Sequence, residues 1–177
     1  MGARSISAAV VDADLFIHLS EIGSVALLGI FEVLHGPDTV WSETVGRGRV
    51  RPADLLGLSA IHRHALLSAE VSPFVQKHGF ETLQAGDIEC LYLGQQLSVP
   101  TLLTDDLSVR KAAKRFLMTP VGSLGVIVRA HRRGHSPLVD AERHLIALYD
   151  VSSLFVTRAL VDIAIEQLRR PAGRGEG

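Results

Sequence analysis

The sequence has little of what several large classes of protein require. It contains a single cysteine, Cys90, among its 177 residues, which excludes an internal disulfide and a zinc cluster of thiolates. Its net charge is -1, so no overall positive field attracts nucleic acid. A polyanion would have to bind through a local basic patch or through metal ions. The cysteine content predicts a reducing, cytoplasmic location.

Long apolar runs are also missing. No stretch approaches the roughly 20 apolar residues of a membrane-spanning helix, and the N-terminal residues lack the apolar core of a signal peptide. The composition is that of a globular protein, with 47% hydrophobic and 21% charged residues. Together with the chain length, this composition predicts one domain with a full hydrophobic core.

Two short apolar segments each end in carboxylates. Residues 6–11 form an apolar run that stops at Asp12, and residues 100–104 lead directly into Asp105 and Asp106. Such runs predict buried strands. In an open parallel sheet, ligands bind in the space beyond the carboxyl ends of the strands. We therefore expect these carboxylates to meet at one edge of a sheet.

Strand and helix signals alternate between residues 6 and 133. This alternation predicts an α/β fold, in which helices cover both faces of a central parallel sheet of four or five strands. Further strands are predicted at 32–35 and 118–121, and helices at 25–31, 87–97, 107–116 and 124–133. The segment 52–80 has the weakest pattern, and its residues 53–64 are compatible with a helix.

No convincing linker divides the chain. Residues 5–135 are predicted to form the main domain, and 136–169 to form two amphipathic helices that pack on the same domain as an additional layer. Residues 170–177 are rich in glycine and arginine and are predicted to be a disordered tail.

Carboxylates at four element ends are the strongest chemical signal of the sequence. They are Asp12, Glu43, Asp87 with Glu89 close by, and the pair Asp105 and Asp106. Crowded carboxylates repel one another, so a cation is needed to offset the repulsion. Mg²⁺ and Mn²⁺ favour oxygen ligands and keep several waters, which leaves room for a phosphate oxygen. The pattern therefore predicts a hard-cation site suited to phosphodiester hydrolysis.

Four blocks of the sequence, taken in order, resemble the PIN domain. They are residues 10–17, 37–43, 85–89 and 103–110, and residues 119–127 resemble the strand, turn and helix that end many bacterial and archaeal members. The resemblance implies a PIN-like three-layer α/β/α fold with extra C-terminal helices. It also implies a Mg²⁺- or Mn²⁺-dependent ribonuclease, similar to the VapC toxins of toxin–antitoxin pairs.

The same resemblance implies roles for individual side chains. The catalytic acids would be Asp12, Glu43, Asp87 and Asp106, and the metal ligands would be Asp12, Asp87 and either Asp105 or Asp106. Asp87 is preferred to Glu89, and Asp106 to Asp105, but both alternatives stay open. Asp14 stands where family members often have Asn or Ser, and it is interpreted as a helix cap or a supporting group.

A basic segment follows the second acidic strand end. Arg110, Lys111, Lys114 and Arg115 would contact the phosphate backbone of a substrate, and Thr104 would donate or accept hydrogen bonds within the site. The alternative is a solvated helix face, and the arginines of the 46–51 loop have the same two interpretations. His131 and His135 have a spacing that can bind a metal, but Gly134 is predicted to end the helix between them. His62 and His64 would point away from each other on a helix. No histidine is therefore assigned as a ligand.

Two observations bear on partners and on competing functions. The C-terminal helices are more apolar than one sheet requires, which predicts a homodimer or a bound antitoxin helix. One competing function is a catalytically inactive PIN-fold module that binds RNA or protein. A haloacid-dehalogenase-like phosphatase, suggested by Asp12 and Asp14, is disfavoured because Phe16 stands where that family has Thr or Val.

Overall fold

The computed structural model describes residues 7–58 and 60–171. Its sheet consists of β1 (Ala8–Val11), β2 (Val33–Pro37), β3 (Ile61–His64), β4 (Thr101–Leu103) and β5 (Thr119–Val121). All neighbouring strands are parallel, in the order β3-β2-β1-β4-β5. The prediction of a parallel sheet of four or five strands is confirmed.

Helices connect the strands and cover the sheet. They are α1 (Ala13–Glu21), a 3₁₀ helix (Val25–Ile30), α2 (Asp38–Glu43), α3 (Pro52–Leu55), α4 (Ser68–His78), α5 (Ala85–Leu97), α6 (Leu107–Arg115), α7 (Ser123–Arg132), α8 (Leu138–Asp150) and α9 (Arg158–Arg169). The central strand β1 is buried on both faces, since Ala9, Val10 and Val11 have no exposed surface. This arrangement confirms the expected α/β/α architecture.

The strand order creates a crevice next to β1. The chain leaves β1 towards β2 on one side and returns to β4 on the other, so the connections diverge between β1 and β4. Ligands bind in α/β proteins at such a divergence. Asp12 follows β1, and its N–H donates to the carbonyl of Leu103 on β4 at 3.0 Å. The acids that end the two strands are therefore adjacent.

Three local predictions were wrong. Residues 53–64 do not form one helix, because α3 ends at Leu55 and Ile61–His64 pairs with β2 as the edge strand β3. Strand β2 continues through Gly36 and Pro37 and does not stop before them. The N-cap of α1 is Asp12, which leaves Asp14 in the first turn of that helix.

The C-terminal helices pack on the main domain through α7. Both α8 and α9 contact α7, and they also contact each other. Leu145 and Leu148 are fully buried in this layer, whereas Phe155 is 97% exposed. Among the described residues, no helix is both long and apolar enough to cross a membrane. Of the predicted disordered tail, residues 172–177 lie outside the described chain, as do residues 1–6 at the other end.

Candidate metal centre

One carboxylate oxygen of Asp12 accepts a hydrogen bond, and the other has no hydrogen-bond partner among the described residues. Its Oδ1 accepts a hydrogen bond from the Leu15 N–H at 2.8 Å and so caps α1. Its Oδ2 is buried and has no hydrogen-bond partner, and the residue is only 2% exposed. Burial raises the pKa of Asp12 well above its usual value, and the nearby Asp105 and Asp14 add to this effect, while Thr104 and the Leu15 N–H oppose it. The free oxygen is the atom that a cation would stabilise.

Asp105 links the end of β4 to α1 and α7 through hydrogen bonds of its side chain. Its Oδ1 accepts from the Ser123 N–H at 2.7 Å, and its Oδ2 accepts from the Ser123 hydroxyl at 2.6 Å. The same Oδ2 lies 2.8 Å from Nδ1 of His18 on α1. Both oxygens are therefore used to join the end of β4 to α1 and α7. Sequence reasoning missed His18 and Ser123, because neither lies near Asp105 along the chain.

Asp106 is placed differently from its neighbour. It is exposed and caps α6, where its Oδ1 accepts from the N–H groups of Ser108 and Val109 at 2.7 and 2.8 Å. These bonds use only one of the two carboxylate oxygens. Its charge acts on Asp87, whose pKa it helps to raise. Of the two adjacent aspartates, Asp106 is thus the one with an oxygen available to a metal.

Asp87 and Glu43 meet at the start of α5. Together with Asp14 they line a small pocket between α1, α2 and α5. Glu43 lies against Gly86, where a Cβ would be 3.6 Å from Oε2 of Glu43. The other open candidate, Glu89, instead accepts a hydrogen bond from the Thr39 hydroxyl. Asp87 therefore faces the other acids, whereas Glu89 already has a partner.

The pKa of Asp87 is raised, partly because other negative charges lie close to it. This pKa is raised from 3.8 to about 6, first by burial and then by the charges of Asp106, Asp14 and Glu43, while a backbone hydrogen bond from Gln84 opposes the shift. Asp14 acts on both Asp12 and Asp87. It therefore lies close to both parts of the cluster, a position that its interpretation as a cap did not anticipate.

Thr104 and the basic residues that follow it differ in how many contacts they make within the protein. Thr104 is fully buried, and its hydroxyl accepts a hydrogen bond from the Asp106 N–H at 3.2 Å. Arg110 donates through Nη1 to the Thr104 carbonyl at 3.2 Å, which supports the end of β4. Lys111 and Lys114 are exposed on α6 and form no ion pair within the described residues. These two lysines are the cations of α6 left to contact a ligand.

The remaining basic candidates are partly engaged within the protein. Arg115 donates to the His78 carbonyl at 3.4 Å and lies over the ring of Phe80. On the 46–51 loop, Arg49 pairs with Glu21, and Arg51 pairs with Asp54. These contacts favour a structural interpretation for much of this basic surface.

The cluster fits a hard cation in its chemistry, although it is not a preformed cage. Within residues 7–58 and 60–171, no three His, Cys, Asp or Glu side chains already converge closely enough to hold an ion. The available donors are all carboxylate oxygens, and Oδ2 of Asp12 is buried without a partner. Mg²⁺ needs only one or two carboxylates because waters complete its coordination. Asp12, Asp87 and Asp106 are the residues that would hold it.

These features define an α/β/α protein with a carboxylate cluster at the switch point of its sheet. A family model described as DUF3368, a PIN domain, matches residues 8–170. The chain therefore belongs to the PIN domain family, which has a nuclease-like fold whose members generally use divalent metals. No curated protein and no solved structure matches the chain.

The raised pKa of Asp87 predicts a pH-dependent stability. Between pH 3.8 and about 6 the folded protein keeps a proton that the unfolded chain has lost, so stability falls as the pH rises through this window. We expect metal-free Asp87→Asn to be more stable than wild type at pH 7, by about 1–3 kcal/mol after allowing for partial exposure, and equally stable near pH 4. Thermal denaturation in EDTA between pH 4 and 7.5 measures this difference.

Asp12 is present in both proteins and has a shift of the same sign, so comparing the two proteins isolates Asp87. Parallel stability curves for wild type and Asp87→Asn over this range would contradict the proposed crowding of Asp87.

Proposed function

We propose that this protein is a Mg²⁺- or Mn²⁺-dependent endoribonuclease that hydrolyses RNA phosphodiester bonds. The observation that carries the proposal is the buried, unpartnered Oδ2 of Asp12 among carboxylates at the switch point of a PIN-domain sheet. A buried aspartate with a purely structural role is expected to have both oxygens hydrogen-bonded, as Asp105 does. An oxygen left free at this place is instead suited to bind a cation.

Each side chain of the cluster has a separate part in this proposal. Asp12, Asp87 and Asp106 bind the metal, which when present lowers the pKa of a water and stabilises charge on the phosphodiester. Glu43, beside Asp87 in the pocket, orients the attacking water or completes the ligand set. Thr104 holds the Asp106 backbone in place through its hydroxyl. No covalent intermediate with the enzyme is needed.

The substrate is proposed to approach along α6. Lys111 and Lys114 are exposed on the helix that Asp106 caps, so cations stand next to the proposed ligand. Phosphate contacts of this kind position the nucleic-acid backbone without reading its sequence. With a net charge of -1, the protein has no other general attraction for RNA. Local charge and the bound metal would supply the affinity.

We further propose that the protein is the toxin of a VapBC-type pair and acts in the cytoplasm, where its RNA substrate is found. This proposal rests on the resemblance of the acidic blocks to VapC toxins. The exposed apolar side chains of the C-terminal layer, including Val139, Val151 and Phe155, would contact an antitoxin or a second copy.

The test is cleavage of an end-labelled single-stranded RNA by the purified full chain. We expect products to form with Mn²⁺ or Mg²⁺, and none to form in EDTA or with Ca²⁺ alone, because Ca²⁺ favours larger coordination numbers. Replacing both Lys111 and Lys114 with alanine should raise KM severalfold and leave kcat nearly unchanged, since phosphate contacts act on binding.

A different result would favour the competing function. If RNA binds without a metal and no products form over hours, the protein is a PIN-fold binding module and the catalytic proposal is wrong.

A further inference from the structure

Three histidines lie on one face of the sheet edge. His35 on β2 is the register partner of His62 on β3, and His64 follows two residues later on the same strand. Residues two apart on a strand project to the same face. A helix over 53–64 would separate His62 from His64, whereas the strand β3 brings both side chains to one face.

The imidazole rings are already in contact. Nδ1 of His35 lies 3.0 Å from Nε2 of His64, so one of these ring nitrogens donates a hydrogen bond to the other. The ring centre of His35 lies 5.2 Å from that of His64 and 5.5 Å from that of His62. His35 and His64 are half-buried, whereas His62 is exposed. The first two rings are held by the sheet, and the third is free to turn.

This spacing is close to that of imidazoles bound to zinc. Zn–N bonds of about 2.0–2.1 Å in a tetrahedral site separate two ligand nitrogens by about 3.3 Å, which is about 0.3 Å more than the observed separation of 3.0 Å. The two rings would also have to turn, because each nitrogen now points at the other instead of at a common position. The metal would replace the hydrogen bond between the two rings. Within the described residues the three rings do not enclose an ion, so the exposed His62 side chain would have to rotate towards the other two to complete the set.

The protonation of the rings favours a metal as well. Burial lowers the pKa of His35 and of His64, and the neighbouring imidazoles lower both further, while Asp38 opposes the shift at His64. Neutral imidazole is the form that binds a metal. The nearby Asp38 carboxylate, which pairs with Arg63, also favours a cation at this place.

We propose that His35, His62 and His64 form a Zn²⁺ site that is separate from the acidic cluster. The ligands differ in kind, because imidazole suits Zn²⁺ whereas carboxylate and water suit Mg²⁺ and Mn²⁺. A bound ion would link the edge strand β3 to β2, because its ligands come from both strands. Three imidazoles would leave the fourth position of a tetrahedral ion to water, as three-histidine sites do.

Calorimetric titration of the full chain with zinc chloride tests the site. The experiment uses the Asp12→Asn variant as background, so that the acidic cluster contributes no binding. We expect one Zn²⁺ per chain and a higher thermal midpoint. Adding His62→Gln should weaken binding at least about tenfold, since even the loss of a group that merely supports a ligand costs 10–100-fold. The matched control His135→Gln, at another exposed histidine, should change nothing.

A second variant and a second metal keep the test decisive. His64→Gln should weaken Zn²⁺ binding as His62→Gln does, and circular dichroism checks that both variants remain folded. His62→Gln on the wild-type background should bind Mn²⁺ like wild type, which separates this site from the proposed nuclease centre. Absence of Zn²⁺ binding, or equal affinity in His62→Gln and His135→Gln, would overturn the proposal.

Discussion

Replacing Asp12 with asparagine is expected to abolish RNA cleavage while making the metal-free protein more stable. Asparagine keeps an oxygen that accepts from the Leu15 N–H, and it is as good an N-cap as aspartate. It removes the negative charge of the buried Oδ2, which has no partner in the described structure. Cleavage should fall at least about a thousandfold, or about 4 kcal/mol in activation free energy.

The gain in stability has the same origin as the loss of activity. A buried carboxylate destabilises the fold unless a cation or hydrogen bonds compensate it. We expect the thermal midpoint of Asp12→Asn in EDTA to exceed that of wild type by a few degrees, since each kcal/mol shifts a domain of this size by about 2–4 °C. Mn²⁺ should raise the midpoint of wild type and leave the variant unchanged.

The matched control for this prediction is Asp150→Asn, at an exposed aspartate on α8 outside the acidic cluster. It should cleave RNA and respond to Mn²⁺ as wild type does. Cleavage by Asp12→Asn at the wild-type rate would show that Asp12 holds no catalytic metal. The assignment of the whole cluster would then be wrong.

Replacing Asp105 with alanine is expected to destabilise the fold more than any other substitution proposed for the acidic cluster. The change leaves the buried Ser123 hydroxyl, the Ser123 N–H and the Nδ1 of His18 without the oxygens that they contact at 2.6, 2.7 and 2.8 Å. Buried polar groups left unpaired cost about 1–3 kcal/mol each. With some relaxation, we expect a loss of about 3–5 kcal/mol, and a thermal midpoint lower by about 10 °C.

The neighbouring Asp106→Ala is the matched comparison, because the two positions are adjacent and differ in role. Losing the N-cap of α6 should cost only about 0.5–2 kcal/mol. Cleavage and Mn²⁺ binding, in contrast, should be lost in Asp106→Ala and kept by Asp105→Ala at temperatures where that variant is folded. The reverse result, a stable Asp105→Ala that no longer binds Mn²⁺, would make Asp105 the ligand.

Much of the fold follows from local patterns in the sequence. The run before Asp12 and the run before Asp105 identify β1 and β4, because short apolar segments between turn residues form buried strands. The first-turn acid Asp87 indicates the start of α5. The prediction of secondary structure was wrong at residues 53–64, where the hydrophobic pattern is weak. An exposed edge strand has no buried face to impose alternation, so Ile61–His64 does not read as a strand.

The acidic cluster was predictable only in outline. The sequence indicates which carboxylates reach the edge of the sheet, because that depends on where the strands end. The pairs Asp105 and Asp106, and Asp87 and Glu89, could not be separated in this way. Neighbours in sequence have the same local pattern, and their roles depend on residues brought close by folding. Ser123 and His18 bind Asp105, and Thr39 binds Glu89.

The class of fold, the order of the main elements and the presence of an acidic edge therefore follow from the amino-acid pattern, since they depend on local hydrophobic periodicity and on where strands end. Folding in three dimensions is needed to establish which oxygen of Asp12 is free, which aspartate is anchored and which histidines share a face. Each of these depends on contacts between residues distant in the chain. Such contacts leave no periodic signal, because they arise only when strands and helices pack together.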